Sequence, residues 1–306
     1  KAYDIRVSVL PVAFGERIVM RLLDKSRSFT NIKDMNFSER DLRVVLNAIS
    51  QPNGIIYVTG PTGSGKTTTL YSILSELNQP DVNIITVEDP IEYQMAGIGQ
   101  VQVKEKIGMT FAAALRSILR QDPDIIMIGE TRDQETAQIA VQAALTGHLV
   151  LSTLHTNNAP ASITRLIDMG VEPFLIASSV EMIMAQRLVR KLCECKKAYH
   201  PSAELLARIG ISPEEAKHIT FYEPVGCEKC NETGYRGRLA IFEIMEMTEG
   251  IAHLTMERAD TGKIRDQAIK DGMTTLIQDG IRKIKEGLTT IDEVLSVAAV
   301  EHTVVE

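Results

Sequence analysis

The residues able to do chemistry fall in a few short blocks. Gly60-Pro61-Thr62-Gly63-Ser64-Gly65-Lys66-Thr67-Thr68 combines three glycines, a lysine and hydroxyl side chains at the spacing of a phosphate-binding loop. The glycines let the backbone curl so that successive N–H groups face phosphate oxygens, and a helix beginning there adds its positive N-terminal end. Lys66 then reaches the outer phosphates of a nucleotide and Thr67 offers its hydroxyl to Mg²⁺. Such loops serve many unrelated machines, so this one names a ligand class and not a function.

Hydrolysis of a nucleoside triphosphate also needs an acid for the metal, a positioned water and positive charge for the transferred phosphoryl group. Glu130 closes an apolar run where a Mg²⁺-serving acid belongs, with Gly129 standing where Asp is usual. Glu92, or with less weight Glu88, is placed to orient water, and the alternative for each carboxylate is a solvated strand end. His155 follows Ser152-Thr153-Leu154 and is a candidate phosphate sensor; His148 is a weaker one, the ordinary alternative being a satisfied structural histidine. Arg116 and Arg120 share a helical face and are either solvated or fingers for a bound nucleotide. Cys227-x-x-Cys230 has zinc-ligand spacing, Cys193-x-Cys195 is one residue short, and His200 is a substitute ligand. The metal-free alternative is a loop held by packing.

The elements that must position these groups can be read from the apolar pattern. Runs at 55–58, 84–87, 125–128 and 149–151 are separated by helical stretches, as in a parallel sheet with helices on both faces. This is an α/β fold, and in such sheets ligands bind beyond the carboxyl ends of the strands. Glu88 to Glu92, Glu130 and His155 all follow such ends. Residues 1–24 alternate as two strands around Pro11 and Gly15, too little to bury a core, and read as the last hairpin of a preceding domain. Residues 25–37 read as a linker, 38–190 as the core opened by a helix with Ser38 as N-cap, and 191–237 as a metal-clipped insert. Residues 238–306 read as helical, ending in a helix opened by Thr290 and Glu293 as a capping box.

Composition narrows the class. With 306 residues, a net charge of -7, no Trp and no basic block, the chain lacks the signature of a nucleic-acid surface. Four cysteines without secretory signs favour metal over disulfides, and no window approaches the roughly 18 apolar residues of a membrane span. A cytoplasmic location is expected.

With these blocks in view the chain resembles the bacterial type II secretion and type IV pilus assembly ATPases. The resemblance runs nearly end to end: Asp4-Ile5-Arg6-Val7-Ser8 with Gly15-Glu16-Arg17, the phosphate loop, and 87–93 as the Asp box. It continues through 119–124 and 129–133 as the family's Walker B form, in which Gly-Glu is expected, and 146–150 with 153–156 as the His box. It implies a RecA-like ATPase core, an N-terminal strand tail of a preceding α+β domain, and a homo-hexamer at the cytoplasmic face of the inner membrane. It also implies Arg6 and Arg21 reaching the phosphates, Glu92 as the catalytic acid, and Glu130 serving Mg²⁺; Arg116, Arg120, Arg132 and Arg165 carry over more weakly. ATP, Mg²⁺ and a structural Zn²⁺ are the implied cofactors. An inner-membrane platform protein with its associated cytoplasmic component is the implied partner, with no nucleic acid. The alternatives are a pilus retraction motor, a RecA-like nucleic-acid translocase, and a nucleotide-dependent scaffold. The retraction motors lack the cysteine insert and carry an Ala-Ile-Arg-Asn-Leu-Ile-Arg-Glu signature not found here.

Overall fold

Strands made of β-branched and aliphatic residues on both faces demand cover on both faces, and the structure supplies it. The computed structural model describes residues 3–24 and 29–298. The chain opens with a hairpin, β1 (Tyr3–Val12) and β2 (Gly15–Asp24), followed by α1 (Glu39–Ile49), β3 (Gly54–Thr59), α2 (Lys66–Leu77), β4 (Ile84–Glu88) and β5 (Gly99–Gln102). Next come α3 (Phe111–Ile118), β6 (Ile125–Ile128), α4 (Gln134–Leu145), β7 (Leu149–Leu154), α5 (Pro160–Asp168), α6 (Pro173–Ser179) and β8 (Val180–Leu192). The insert contains β9 (Lys197–Tyr199), α7 (Ala203–Arg208), α8 (Pro213–Ala216) and β10 (Phe221–Glu223). After it run β11 (Tyr235–Glu246), α9 (Glu249–Met256), α10 (Thr261–Lys270), α11 (Leu276–Lys285) and α12 (Ile291–Ala298).

Seven strands form one sheet in the order β11-β8-β3-β7-β6-β4-β5, parallel throughout except for β11. The two-residue period of β3 sends Ile56 and Val58 toward Leu70, Ile73 and Leu74 of α2, while Ile55 and Tyr57 face the side that holds Ala140 and Ala144 of α4. The α/β expectation and all four core strands are borne out.

Three readings are corrected. Residues 180–192 and 235–246 are strands of the main sheet, so the stretch after 238 is not wholly helical. Residues 29–37 are packed: Ile32 is buried and the Phe29 ring meets Tyr71 edge-on at 5.3 Å. Thr290 accepts from Glu293 N at 3.3 Å, but the Glu293 carboxylate is taken by Arg190, whereas α11 does open on a reciprocal capping box at Thr275 and Gln278. Ser38 caps α1 as expected. Residues 25–28 and 299–306, parts of the expected linker and C-terminal region, lie outside the described residues.

The hairpin stands on the edge of this body with Ile5, Val7, Val9, Leu10, Ile18 and Leu22 half-exposed or more. Its register sets Arg6 directly opposite Arg21. Two like charges side by side are unfavourable without an anionic neighbour.

Candidate functional site

The phosphate-type loop runs from the end of β3 into α2 with Gly60, Gly63 and Gly65 all at positive φ, backbone that other residues adopt only under strain. Gly60 is also required by space, since a Cβ there would lie 2.6 Å from the backbone Gln186 O; one on Gly65 would lie 2.7 Å from Gln186 Nε2 and displace that side chain. Gly65 caps α2 without a side-chain acceptor, which leaves the first-turn N–H groups directed outward. Pro61, Thr62, Gly63 and Thr67 are exposed, Thr68 is half-buried, and Ser64 and Lys66 are buried. Lys66 Nζ donates to Gly60 O at 2.7 Å and Pro61 O at 3.1 Å. Burial pushes its pKa down to about 8, against the pull of Glu130 and with the help of Arg187.

A cavity of about 1110 Å³ opens over this loop, and Arg21, Lys66, Thr67, Glu92, Glu130 and His155 all line it. Glu130 sits two residues beyond β6; Arg132 grips its carboxylate, and His155 Nε2 lies 3.6 Å away. The same pairing raises the pKa of the Arg132 guanidinium. A Cβ at Gly129 would press on Val87 O at 3.2 Å and on the Glu88 backbone at 3.3 Å, so a larger residue there requires the end of β4 to give way slightly.

The two candidate water-orienting acids separate cleanly. Glu88 is buried and accepts from Tyr71 Oη, from Thr86 Oγ1 at 2.7 Å and from Gln100 Nε2 at 3.0 Å. Burial first, and then the neighbouring Glu88, push the Tyr71 phenol up, so it stays a donor. Glu92 is about 29 % exposed at the rim, where Arg6 Nη1 approaches it at 3.4 Å while Nη2 donates to Ile91 O at 3.0 Å.

Other candidates lie elsewhere. His148 precedes β7, at the sheet's opposite end from the loop, and its Nδ1 sits 2.8 Å from Ala143 O at the end of α4. Arg116 pairs with Glu135 and Arg120 donates to Arg116 O at 3.0 Å, both exposed and outside the cavity. Arg165 is exposed on α5. The sequence reading missed Gln186, Lys191 and Arg238, which also line the cavity. A glutamine set between the apolar residues 182–185 and 188–189 was the available signal for the first.

The insert gathers all four cysteines, with their Sγ atoms within 4.8 Å of one another. The separations Cys193–Cys227 and Cys195–Cys230 are 3.9 Å and Cys227–Cys230 is 3.7 Å. A tetrahedral Zn–S shell with bonds of about 2.3 Å requires sulfur edges of about 3.8 Å, so the donor set fits that ion. The short Cys193-x-Cys195 spacing is no obstacle, because the turn after β8 brings both thiols inward. Burial opposes ionisation of Cys230, yet backbone N–H groups of Cys227 and Gly234, each 3.2 Å from its sulfur, outweigh it and the thiol titrates low, at about 7. His200 is not among these four ligands.

Comparison with known proteins agrees with this geometry. The chain is 54% identical over 297 residues to the type IV pilus assembly ATPase PilB of Myxococcus xanthus, covering 96% of this chain and 52% of that protein. It is 52% identical over 299 residues to type II secretion system protein E of Pseudomonas aeruginosa, covering 97% of this chain and 59% of that one. It thus spans between half and three fifths of those relatives' length. Among solved structures, the pilus retraction motor PilT with bound ADP superposes with a TM-score of 0.70 at 29% identity, over 96% of this chain and 73% of that one. The Legionella pneumophila ATPase DotB has the same fold, with a TM-score of 0.69 at 23% identity over 97% and 73% of the two chains. The Type II/IV secretion system protein family model matches residues 1–296, and the chain belongs to that family.

Proposed function

We propose that this chain is the ATP-hydrolysing part of a motor that drives assembly of a type IV pilus or a type II secretion pseudopilus. The observation that carries the reading is convergence: a phosphate loop, two carboxylates and a hairpin arginine border one cavity, with the hairpin's second arginine in contact with one of those carboxylates. Residues 60–68 cradle the phosphates, with Lys66 against the outer ones. Thr67 and Glu130 hold Mg²⁺, which when bound neutralises charge on the phosphate oxygens. Glu92 orients the attacking water and takes its proton, and Arg6 and Arg21 bring positive charge from the hairpin. His155, next to Glu130, responds to occupancy of the outer phosphate position.

The identity to assembly and secretion proteins, nearly twice that to the retraction motor, favours assembly or secretion over retraction. In this reading the working form is a homo-hexamer at the cytoplasmic face of the inner membrane. There it passes its motion to a platform protein and that protein's cytoplasmic companion. The four-cysteine cluster holds a structural Zn²⁺. Among the described residues no helix is long and apolar enough to cross a membrane.

The test is ATPase rate against protein concentration, with oligomer mass followed in parallel, on the native chain and on Glu92→Gln. A rate that climbs as hexamers form and collapses in the variant is expected. Turnover unchanged on dilution to monomer would remove the ring from the mechanism.

A further inference from the structure

Successive residues of a strand point to opposite faces, and β8 puts this to use at the end of its pairing with β3. Gln186, 2 % exposed, lies on the face of α2: its Nε2 donates to Ser64 O at 2.8 Å and its Oε1 accepts from Thr69 Oγ1 at 2.7 Å. The phosphate loop is thus held at a carbonyl inside it and at a hydroxyl one turn into its helix. Arg187, on the other face, donates through Nη2 to Asn157 O at 2.6 Å and through Nη1 to Gln186 O at 3.0 Å. Asn157 is two residues beyond His155.

Glu243 of β11, paired across from Ala185 and so on Arg187's face, accepts from Ala159 N at 2.9 Å at the start of α5. The segment 155–159 is therefore fastened at Asn157 and at Ala159. A second link joins the same two regions directly, through Thr59 Oγ1 and Thr156 Oγ1 at 2.8 Å.

We propose that Gln186 and Arg187 are positioning residues for the nucleotide reaction, one setting the phosphate loop and the other setting the His155 segment from the same strand. The proposal rests on the nucleotide reading of the cavity. Its division of labour goes further: Gln186 governs binding, because its side-chain hydrogen bonds run to the phosphate loop and its helix, and Arg187 governs turnover, because its Nη2 reaches Asn157 in the His155 segment.

The experiment measures affinity for a fluorescent Mg²⁺–ATP analogue and steady-state turnover in the full chain. Gln186→Met keeps the volume and removes both hydrogen bonds; its dissociation constant should rise about tenfold, with kcat nearly unchanged. Arg187→Lys keeps the charge and loses the forked reach; its kcat should fall about tenfold, with affinity nearly unchanged. Equal changes of affinity and kcat in both variants, or no change in either, would overturn the proposal.

Should Arg187→Lys not fold, amide exchange in Gln186→Met decides. Nucleotide should still protect residues 155–158 while protection at 62–69 drops, and loss of protection at both together would overturn the division. Lys66→Ala tells the two failures apart: normal binding by that variant would refute the nucleotide reading itself, whatever Gln186 does.

Discussion

Arg6 Nη1 lies 3.4 Å from Glu92 Oε1, joining the hairpin to the segment that follows β4. Both side chains are about one third exposed, at 33 % and 29 %, so the pair adds little to stability, of the order of 0–1 kcal/mol. Its importance is positional. The cation expected to meet phosphate is already in contact with the acid expected to orient water.

If Glu92 takes the proton of the attacking water, Glu92→Gln keeps its size and hydrogen-bonding reach but loses the base. Turnover should fall by about 100- to 1000-fold while nucleotide affinity stays close to native. Single-turnover kinetics with bound nucleotide measured separately would check this, and near-native turnover would move the role to another residue.

The depressed Lys66 gives nucleotide binding a pH dependence. Lys66 titrates at about 8 in the free chain, and a bound phosphate raises its pKa again by stabilising the ammonium. Binding therefore takes up a proton as pH rises through about 8, and affinity falls above that value while staying level with respect to this group below it. Calorimetry in two buffers of different ionisation enthalpy counts the proton; no uptake near pH 9 would contradict the assignment.

Glu88 should behave as a structural acid. Its carboxylate satisfies Tyr71, Thr86 and Gln100, so Glu88→Ala strands three donors in a buried place. Stability should drop by about 3 kcal/mol, read as a lower urea midpoint at unchanged slope. An unshifted midpoint would show that those donors find other partners.

The cysteine cluster should carry one zinc per chain when purified without chelators. Cys227→Ser should lose the ion and lower the unfolding temperature, because a structural zinc contributes folding free energy that an incomplete shell cannot supply. Elemental analysis finding no zinc in the native chain would leave the insert held by packing.

Much of this was legible where the chemistry is local. The phosphate loop needs closely spaced glycines ahead of a lysine, and buried parallel strands need apolar runs, so residues 60–68 and the strands β3, β4, β6 and β7 announce themselves. Strand β8 did not, because Gln186, Arg187 and Arg190 interrupt its apolar pattern to serve the loop, the 155–159 segment and Glu293 of α12. Strand β11 was hidden by Arg236-Gly237-Arg238, where the ladder slips between Tyr235 and Arg238. Glu88 and Glu92 are both acids at the end of one apolar run, and the sequence separates them only by weight, in favour of Glu92. The placement of Tyr71 on α2 and Gln100 on β5 against Glu88, and of Arg6 against Glu92, tells them apart. His148 and His155 likewise differ by which end of β7 they occupy.

The edges of the sheet bear on how copies of this chain can meet. One border, β5, is four residues long; the other, β11, begins with two exposed arginines around a glycine at positive φ and a slipped register. Short, charged and irregular borders are how natural sheets discourage strand addition by a neighbour. If copies of this chain associate, they would do so through side-chain surfaces and not by extending the backbone ladder, and such contacts could form and part while every main-chain hydrogen bond of the sheet stays in place.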